Sequence, residues 1–194
     1  MGQRGSAVSE ITFDGCRVPM ENLLVRTQGN GFRSAMKTLN KQRLHLAALC
    51  TAPATRMLDE ALAHTTTRCQ SGQPVADFQL IQGMIADSRV EIEAARSLVL
   101  ETARKRDAGI DLTLEASICK YFASEMCVRV ADRAVQMFGG SGYVADCSVI
   151  ERLYRDVRLF RLYEGTSQIH QLNIARLTKR NFAESGTTSR EIES

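Results

Sequence analysis

The sequence predicts a mainly α fold, an up-and-down four-helix bundle with a short β remnant at its N-terminus. Apolar residues recur at steps of three and four from Gly31 almost to the C-terminus, and the connections between these stretches are short. Glycine or proline punctuates their ends. The chain has 194 residues, 44% of them hydrophobic, enough for one globular core.

Residues 9–18 alternate, with Ile11, Phe13 and Val18 interrupted by an Asp14-Gly15 turn, and read as strand and turn. One short strand pair cannot bury enough surface to stand alone. Residues 1–28 are therefore expected to be the end of a β-domain whose other strands are absent.

The helical text opens at Gly31, where Phe32, Ala35, Met36, Leu39, Leu44, Ala47 and Ala48 form one stripe. Pro53 is expected to kink or break this helix, because it lacks an N–H and clashes with the preceding turn. Met57, Leu58, Ala61 and Leu62 resume the stripe to about Thr67, and Ser71-Gly72-Gln73-Pro74 makes a loop. A second helix fits 78–107, with Ile81, Ile85, Ile92, Ala95, Val99 and Ala103 on one face. A third fits 113–138, through Ala116, Cys119, Ala123, Met126, Val130, Ala134 and Met137, with Thr113 as N-cap and Gly139, Gly140 and Gly142 as its stop. Small residues at 116, 123 and 134 permit close helix approach. A shorter helix covers about 148–161, and the last runs from Thr166 or Ser167 to about Phe182. The bundle domain thus spans 29–183. Residues 184–194, rich in Ser, Thr and Glu, are expected to be a disordered tail.

Composition removes several function classes. A net charge of +3 is too small to argue for nucleic acid. The one dense basic repeat, Arg152, Arg155, Arg158 and Arg161, is either a solvated helix stripe or an anion or subunit contact. Six cysteines, at 16, 50, 69, 119, 127 and 147, include no Cys-x-x-Cys pair, which argues against zinc. They read as reduced, core-filling thiols of an intracellular protein. No apolar run is long enough to span a bilayer and no signal pattern opens the chain. A soluble protein is expected, cytoplasmic in a bacterium or in the mitochondrial matrix of a eukaryote. None of His45, His64 and His170 sits in a Glu-x-x-His pair, so a di-iron bundle is set aside.

Four places can carry chemistry. Tyr163-Glu164-Gly165-Thr166-Ser167-Gln168 puts a carboxylate on a turn before a helix start, as a catalytic base or an ordinary helix-start carboxylate. Phe138-Gly139-Gly140-Ser141-Gly142-Tyr143, preceded by Gln136, follows no strand, so a Rossmann loop fails its context. It remains a helix stop or a set of amides for a pyrophosphate. Arg68, between a helix and a loop, is a surface charge or a phosphate contact. Arg43 interrupts an apolar stretch and is either buried against an anionic partner or snorkelling.

Taken in order, these motifs resemble the acyl-CoA dehydrogenase family. The matching segments are Phe13-Asp14-Gly15-Cys16-Arg17-Val18-Pro19, Glu21-Asn22-Leu23-Leu24, Gly29-Asn30-Gly31-Phe32, Arg43, residues 68–72 and Asp77-Phe78-Gln79. They continue with residues 136–143, Arg155-Asp156 and residues 163–168. The resemblance covers the end of the family's middle β-domain and its C-terminal helical bundle. It implies FAD-dependent α,β-dehydrogenation of an acyl-CoA to a trans-2-enoyl-CoA, with an electron-transferring flavoprotein as acceptor.

Residue by residue, Glu164 matches the base that removes the α-proton. The subgroup that carries its base on the first bundle helix has that position at Gln42, which cannot serve. Arg43, Tyr163, Gly165 and Arg176 match substrate-side positions, and Thr166 and Gln168 match FAD contacts beside the base. Arg68, Phe78, Gln136, Gly139 and Gly140 match residues holding the ADP part of FAD from a neighbouring subunit, which implies a homodimer or homotetramer. Ser71 stands where the family usually has Phe. The isolated chain is expected to bind FAD poorly and not to turn over. The competing readings are an acyl-CoA oxidase of the same superfamily and a non-catalytic helical assembly module.

Overall fold

The computed structural model describes residues 1–23 and 29–191, the side chains of residue 33 and of residues 186–191 excepted. Leu24 and the rest of 24–28, and residues 192–194, lie outside the described residues. The elements run α1 (Gly31–Thr67), β1 (Cys69–Gln70), β2 (Gln73–Pro74), α2 (Gln79–Asp107), α3 (Thr113–Phe138), α4 (Gly140–Tyr143), α5 (Ile150–Val157) and α6 (Ser167–Glu191). A 3-10 turn at Arg158–Arg161 continues α5, and β1 pairs antiparallel with β2.

Side-chain contacts give the long helices alternating directions. Asn40 donates to Thr113 Oγ1 at 3.2 Å and the His64 ring stacks on Phe138 at 4.2 Å, so α1 and α3 run parallel. Helix α2 runs back along α3, placing Glu91 against Arg129 and Arg133 and Thr102 against Cys119. Helix α6 also runs back, with Ser167 reaching Glu125 and Gln171 reaching Tyr121. The core centres on α3, whose Ala116, Cys119, Ala123, Met126, Val130, Ala134 and Met137 are all buried. That is the stripe the periodicity predicts.

Several expectations fail for identifiable reasons. Residues 9–18 bend at Asp14 and Gly15 but form no strand, and Ile11, Phe13 and Val18 are exposed. No described strand lies beside them to take up their backbone hydrogen bonds. Pro53 neither ends nor splits α1. It removes only the donor to the carbonyl of Leu49, a residue 53% exposed, where water can replace it. The first turns of α1 also project beyond the core, leaving Phe32 and Ala35 exposed.

Thr113 is not the N-cap of α3 but its first residue, and Asp111 Oδ1 receives its N–H (3.2 Å) and hydroxyl (2.8 Å). The tail expected to be disordered is helical through Glu191. An Arg180–Glu184 pair and a Ser185 hydroxyl bonded to the Phe182 carbonyl support that continuation. Of the six cysteines only Cys50, Cys119 and Cys127 fill the core, while Cys16, Cys69 and Cys147 are exposed. Among the described residues no helix is long and apolar enough to cross a membrane.

Candidate active site

The carboxylate turn lies between the 3-10 turn and α6. Glu164 has φ +57° and Gly165 φ +95°, two left-handed residues in succession. For a glutamate this conformation costs on the order of 1–2 kcal/mol and persists only where surroundings impose it. Here three helices impose it. Arg43 of α1 donates from Nε to the Glu164 carbonyl at 3.3 Å, His170 of α6 places Nε2 3.1 Å from the same oxygen, and Lys120 of α3 donates to the Gly165 carbonyl at 2.6 Å. Gly165 is needed twice, for its positive φ and because a Cβ there would come 3.1 Å from His170 Nε2.

The flanks of the turn are held from the same helix. Glu125, just over one turn beyond Lys120 on α3, accepts from Arg161 at 2.7 Å and from the Ser167 hydroxyl at 2.5 Å. The Glu164 carboxylate itself makes no hydrogen bond among the described residues, and its Oε2 is buried without a partner. A buried, unpartnered carboxylate oxygen is poised for a ligand or a proton.

Electrostatics around the turn are set by burial. Arg43, 6% exposed, is the buried arginine of the two alternatives, yet its hydrogen bonds go to Asn40 Oδ1 (2.9 Å) and the Glu164 carbonyl. Burial lowers its pKa and the Glu164 charge opposes that. Lys120 is fully buried and pushed down to about 8 by desolvation, against the Cys50 thiol, Glu125 and Glu164. His170 is pushed down to about 4, first by burial and then by Lys120 and Arg43. A neutral ring that donates from Nε2 leaves Nδ1 bare, and Nδ1 is buried without a partner among the described residues. Burial also raises the Tyr163 phenol, which stacks on Phe160 with ring centroids 6.1 Å apart.

The predicted site residues fall into two groups. Arg43 and Arg176 line one cleft of about 470 Å³ between α1, the start of α3 and α6, together with Lys37, Asn40, Thr113 and Asn173. Tyr163, Glu164, Gly165 and Thr166 lie on the turn behind Arg43. Thr166 Oγ1 caps α6 by accepting the Ile169 N–H (3.3 Å), and Gln168 is exposed.

Arg68, Phe78, Gln136, Gly139 and Gly140 are placed elsewhere. The His64–Phe138 stack brings the end of α1 to the end of α3, so Arg68 and the glycines share that far end of the bundle. Sixteen residues of α3 separate Gln136 from Lys120, roughly 24 Å of helix, so one copy does not gather both groups into one pocket. Arg68, Gln136, Gly139 and Gly140 are exposed. The amides of Gly139 and Gly142 are already bonded, to Val135 and Gln136 and to Gly139. Gly142 is required by packing, since a Cβ would meet Phe138 Cβ at 2.7 Å. Ser71, the departure from the family pattern, takes φ +52° in the β1–β2 turn.

The arginine stripe divides. Arg155 pairs with Glu151, Arg161 with Glu125, Arg152 is exposed, and Arg158 keeps a buried Nη1 without a partner among the described residues. Arg155 and Asp156 also hold the N-terminus. Arg155 donates to the Met1 carbonyl at 2.8 Å, and Gln3 bonds Asp156 through its N–H and its side chain.

Sequence reasoning missed Lys120 and Glu125 and set His170 aside with the di-iron reading. Lys120 carried a signal: it lies four residues after Ala116 and three before Ala123, inside the buried arc.

Four long helices with a carboxylate turn seated on their buried cations define the class, a helical domain of the acyl-CoA dehydrogenase C-terminal type. Residues 29–178 match the family model described as acyl-CoA dehydrogenase, C-terminal domain, and the chain belongs to that family. It is 44% identical to the caffeyl-CoA reductase-Etf complex subunit CarC of Acetobacterium woodii, over 90% of this chain and 46% of that protein. It is also 44% identical to the probable acyl-CoA dehydrogenase YngJ of Bacillus subtilis, over 91% of this chain and 46% of that protein. Butyryl-CoA dehydrogenase from Megasphaera elsdenii superposes with a TM-score of 0.76 at 36% identity, covering 78% of this chain and 39% of that one. The chain thus spans less than half the length of these relatives.

Proposed function

We propose that this chain supplies the base of an FAD-dependent acyl-CoA dehydrogenase, with Glu164 removing the α-proton of the acyl thioester. The observation that carries the reading is the Glu164 carboxylate, held out on a left-handed turn with Oε2 buried and unpartnered among the described residues. The α C–H bond breaks toward Glu164, the β C–H bond breaks as hydride, and the α,β double bond forms. FAD, when bound, supplies the acceptor for that hydride. A positioned base is worth about 10²–10⁴-fold in rate. An acyl chain covering the carboxylate excludes water and raises its proton affinity toward working pH.

The residues present suit a flavin dinucleotide. The exposed donors Gln168, Arg68 and Gln136 carry no side-chain hydrogen bond among the described residues, and a Cβ at Gly139 or Gly140 would meet nothing within 4 Å. The separation of Arg68 and Gln136 from the carboxylate turn supports a cofactor shared between two copies, and hence a homodimer or homotetramer. Arg43 and Arg176 in one cleft support anchoring of the anionic CoA. An electron-transferring flavoprotein is the acceptor we assign, in keeping with the Etf complex named for the A. woodii relative.

That relative is named a reductase, which favours a second reading in which protonated Glu164 returns its proton to the α-carbon of an enoyl-CoA. The test is rapid-mixing of the intact, flavin-loaded enzyme with a panel of acyl-CoAs, and of the reduced enzyme with enoyl-CoAs. Glu164→Gln is expected to abolish flavin bleaching and reoxidation. Substantial bleaching in that variant would sink the assignment.

A further inference from the structure

We propose that Lys120 is the positioning residue for Glu164, clamping the Glu164–Gly165 turn onto the bundle through the Gly165 carbonyl. The proposal rests on the reading of Glu164 as the base and asks what aims it. The carboxylate makes no hydrogen bond of its own among the described residues, so its direction is inherited from its main chain. That main chain is in an unfavourable conformation at residue 164, which must be held by its surroundings.

Of the three donors that reach the turn, Lys120 makes the shortest bond, 2.6 Å, from a side chain with no solvent exposure. Water cannot take its place without opening the core. Arg43 and His170 both address the preceding carbonyl, so Lys120 alone arrives from α3 and fixes the turn from the third side. Helix α3 adds Glu125, which ties Arg161 and Ser167 on either flank, and so one rigid helix carries both the clamp and its abutments. A buried ammonium is costly and persists when it is compensated. Its neighbours Glu125 and Glu164 supply that compensation, and Arg43 opposes it.

Two readouts test the clamp. In the 194-residue chain, Lys120→Met is expected to erase the left-handed signature in the backbone chemical shifts of residues 164 and 165 while helix content is retained. In the intact, flavin-loaded enzyme, the same variant is expected to slow flavin reduction about 10–100-fold, as a misplacement of about 1 Å does. Acyl-CoA affinity and flavin content should not change. The reductant is butyryl-CoA, or the most reactive thioester of a chain-length panel.

Because Lys120 acts through Glu164, Lys120→Met should add less than its own factor to the loss caused by Glu164→Asp, which keeps a slower base, whereas a general structural lesion would multiply it. If Lys120→Met does not fold, Lys120→Leu, which likewise lacks a donor, takes its place in both measurements. Unchanged shifts at 164 and 165, or additive losses, overturn the clamp. A fully active Glu164→Gln overturns the base reading instead, and the shifts then decide the clamp by themselves.

Discussion

The imidazole Nε2 of His170 lies 3.1 Å from the main-chain oxygen of Glu164 and would lie 3.1 Å from a Cβ at position 165. One ring therefore both braces the carboxylate turn and crowds any side chain placed beside it. Gly165→Ala is expected to cost about 1–3 kcal/mol, from the strained φ and the forced shift of His170. Urea unfolding of the chain measures it. A midpoint within error of the parent would show that the turn is not held as described.

His170 also sets a pH dependence. Its folded pKa is depressed from 6.5 to about 4, by burial first and by the positive Lys120 and Arg43 next. Between these values the unfolded chain binds the proton and the folded chain does not, so stability rises with pH. It is complete above about 6.5 and is lost as pH falls toward 4. Unfolding free energies from pH 4 to 7 should therefore slope upward, and His170→Gln should flatten that slope. Equal slopes would mean the ring titrates normally.

Thiol chemistry separates the six cysteines. Cys16, Cys69 and Cys147 are exposed. Burial pushes the Cys50 thiol up to about 12, Cys127 well above its ordinary value and Cys119 upward, which removes the reactive thiolate. An aromatic disulfide reagent should modify three thiols at once in the folded chain and six only in denaturant. Fast reaction of a fourth would contradict the packing around α3.

The buried face of α3 carries small residues, Ala116, Ala123 and Ala134. Ala123 is 1% exposed, and Ala123→Leu is expected to destabilise by about 1–3 kcal/mol through overpacking. Thermal unfolding followed by circular dichroism checks it, and a stabilised variant would show an unfilled space at this contact.

Glu91 joins α2 to α3 by meeting Arg129 and Arg133, each at 3.1 Å. Because the carboxylate and Arg133 are about four-fifths covered, Glu91→Gln should cost about 1 kcal/mol and the cost should shrink in salt. Salt-independent destabilisation would assign the loss to packing.

The helices were legible because burial leaves a period in the sequence. Helix α3 has the bounds its stripe predicts, 113–138, and every residue on that stripe is buried. The elements that failed depend on something periodicity does not carry. Ile11, Phe13 and Val18 alternate like a strand, but a strand needs a neighbour to bond. Pro53 reads as a break, yet the helix continues where its free carbonyl can meet water. The caps shifted by a residue or two because Asp111 and Thr113 are both able to serve.

For the candidate site, the residue types are already present in the linear chain: a glutamate before a glycine at 164–165, arginines at 43 and 176, and a glycine-rich turn after Gln136. Their order is that of the acyl-CoA dehydrogenase family. What each does in its place follows from the folded arrangement. It put Arg43 on a carbonyl rather than a carboxylate, parted Arg68 and Gln136 from Glu164 by most of the length of α3, and set Lys120 and His170 beneath the turn. The reason is physical. A residue's type and periodicity are local properties, whereas a hydrogen bond between Lys120 and Gly165 spans forty-five positions and exists only once the chain has folded.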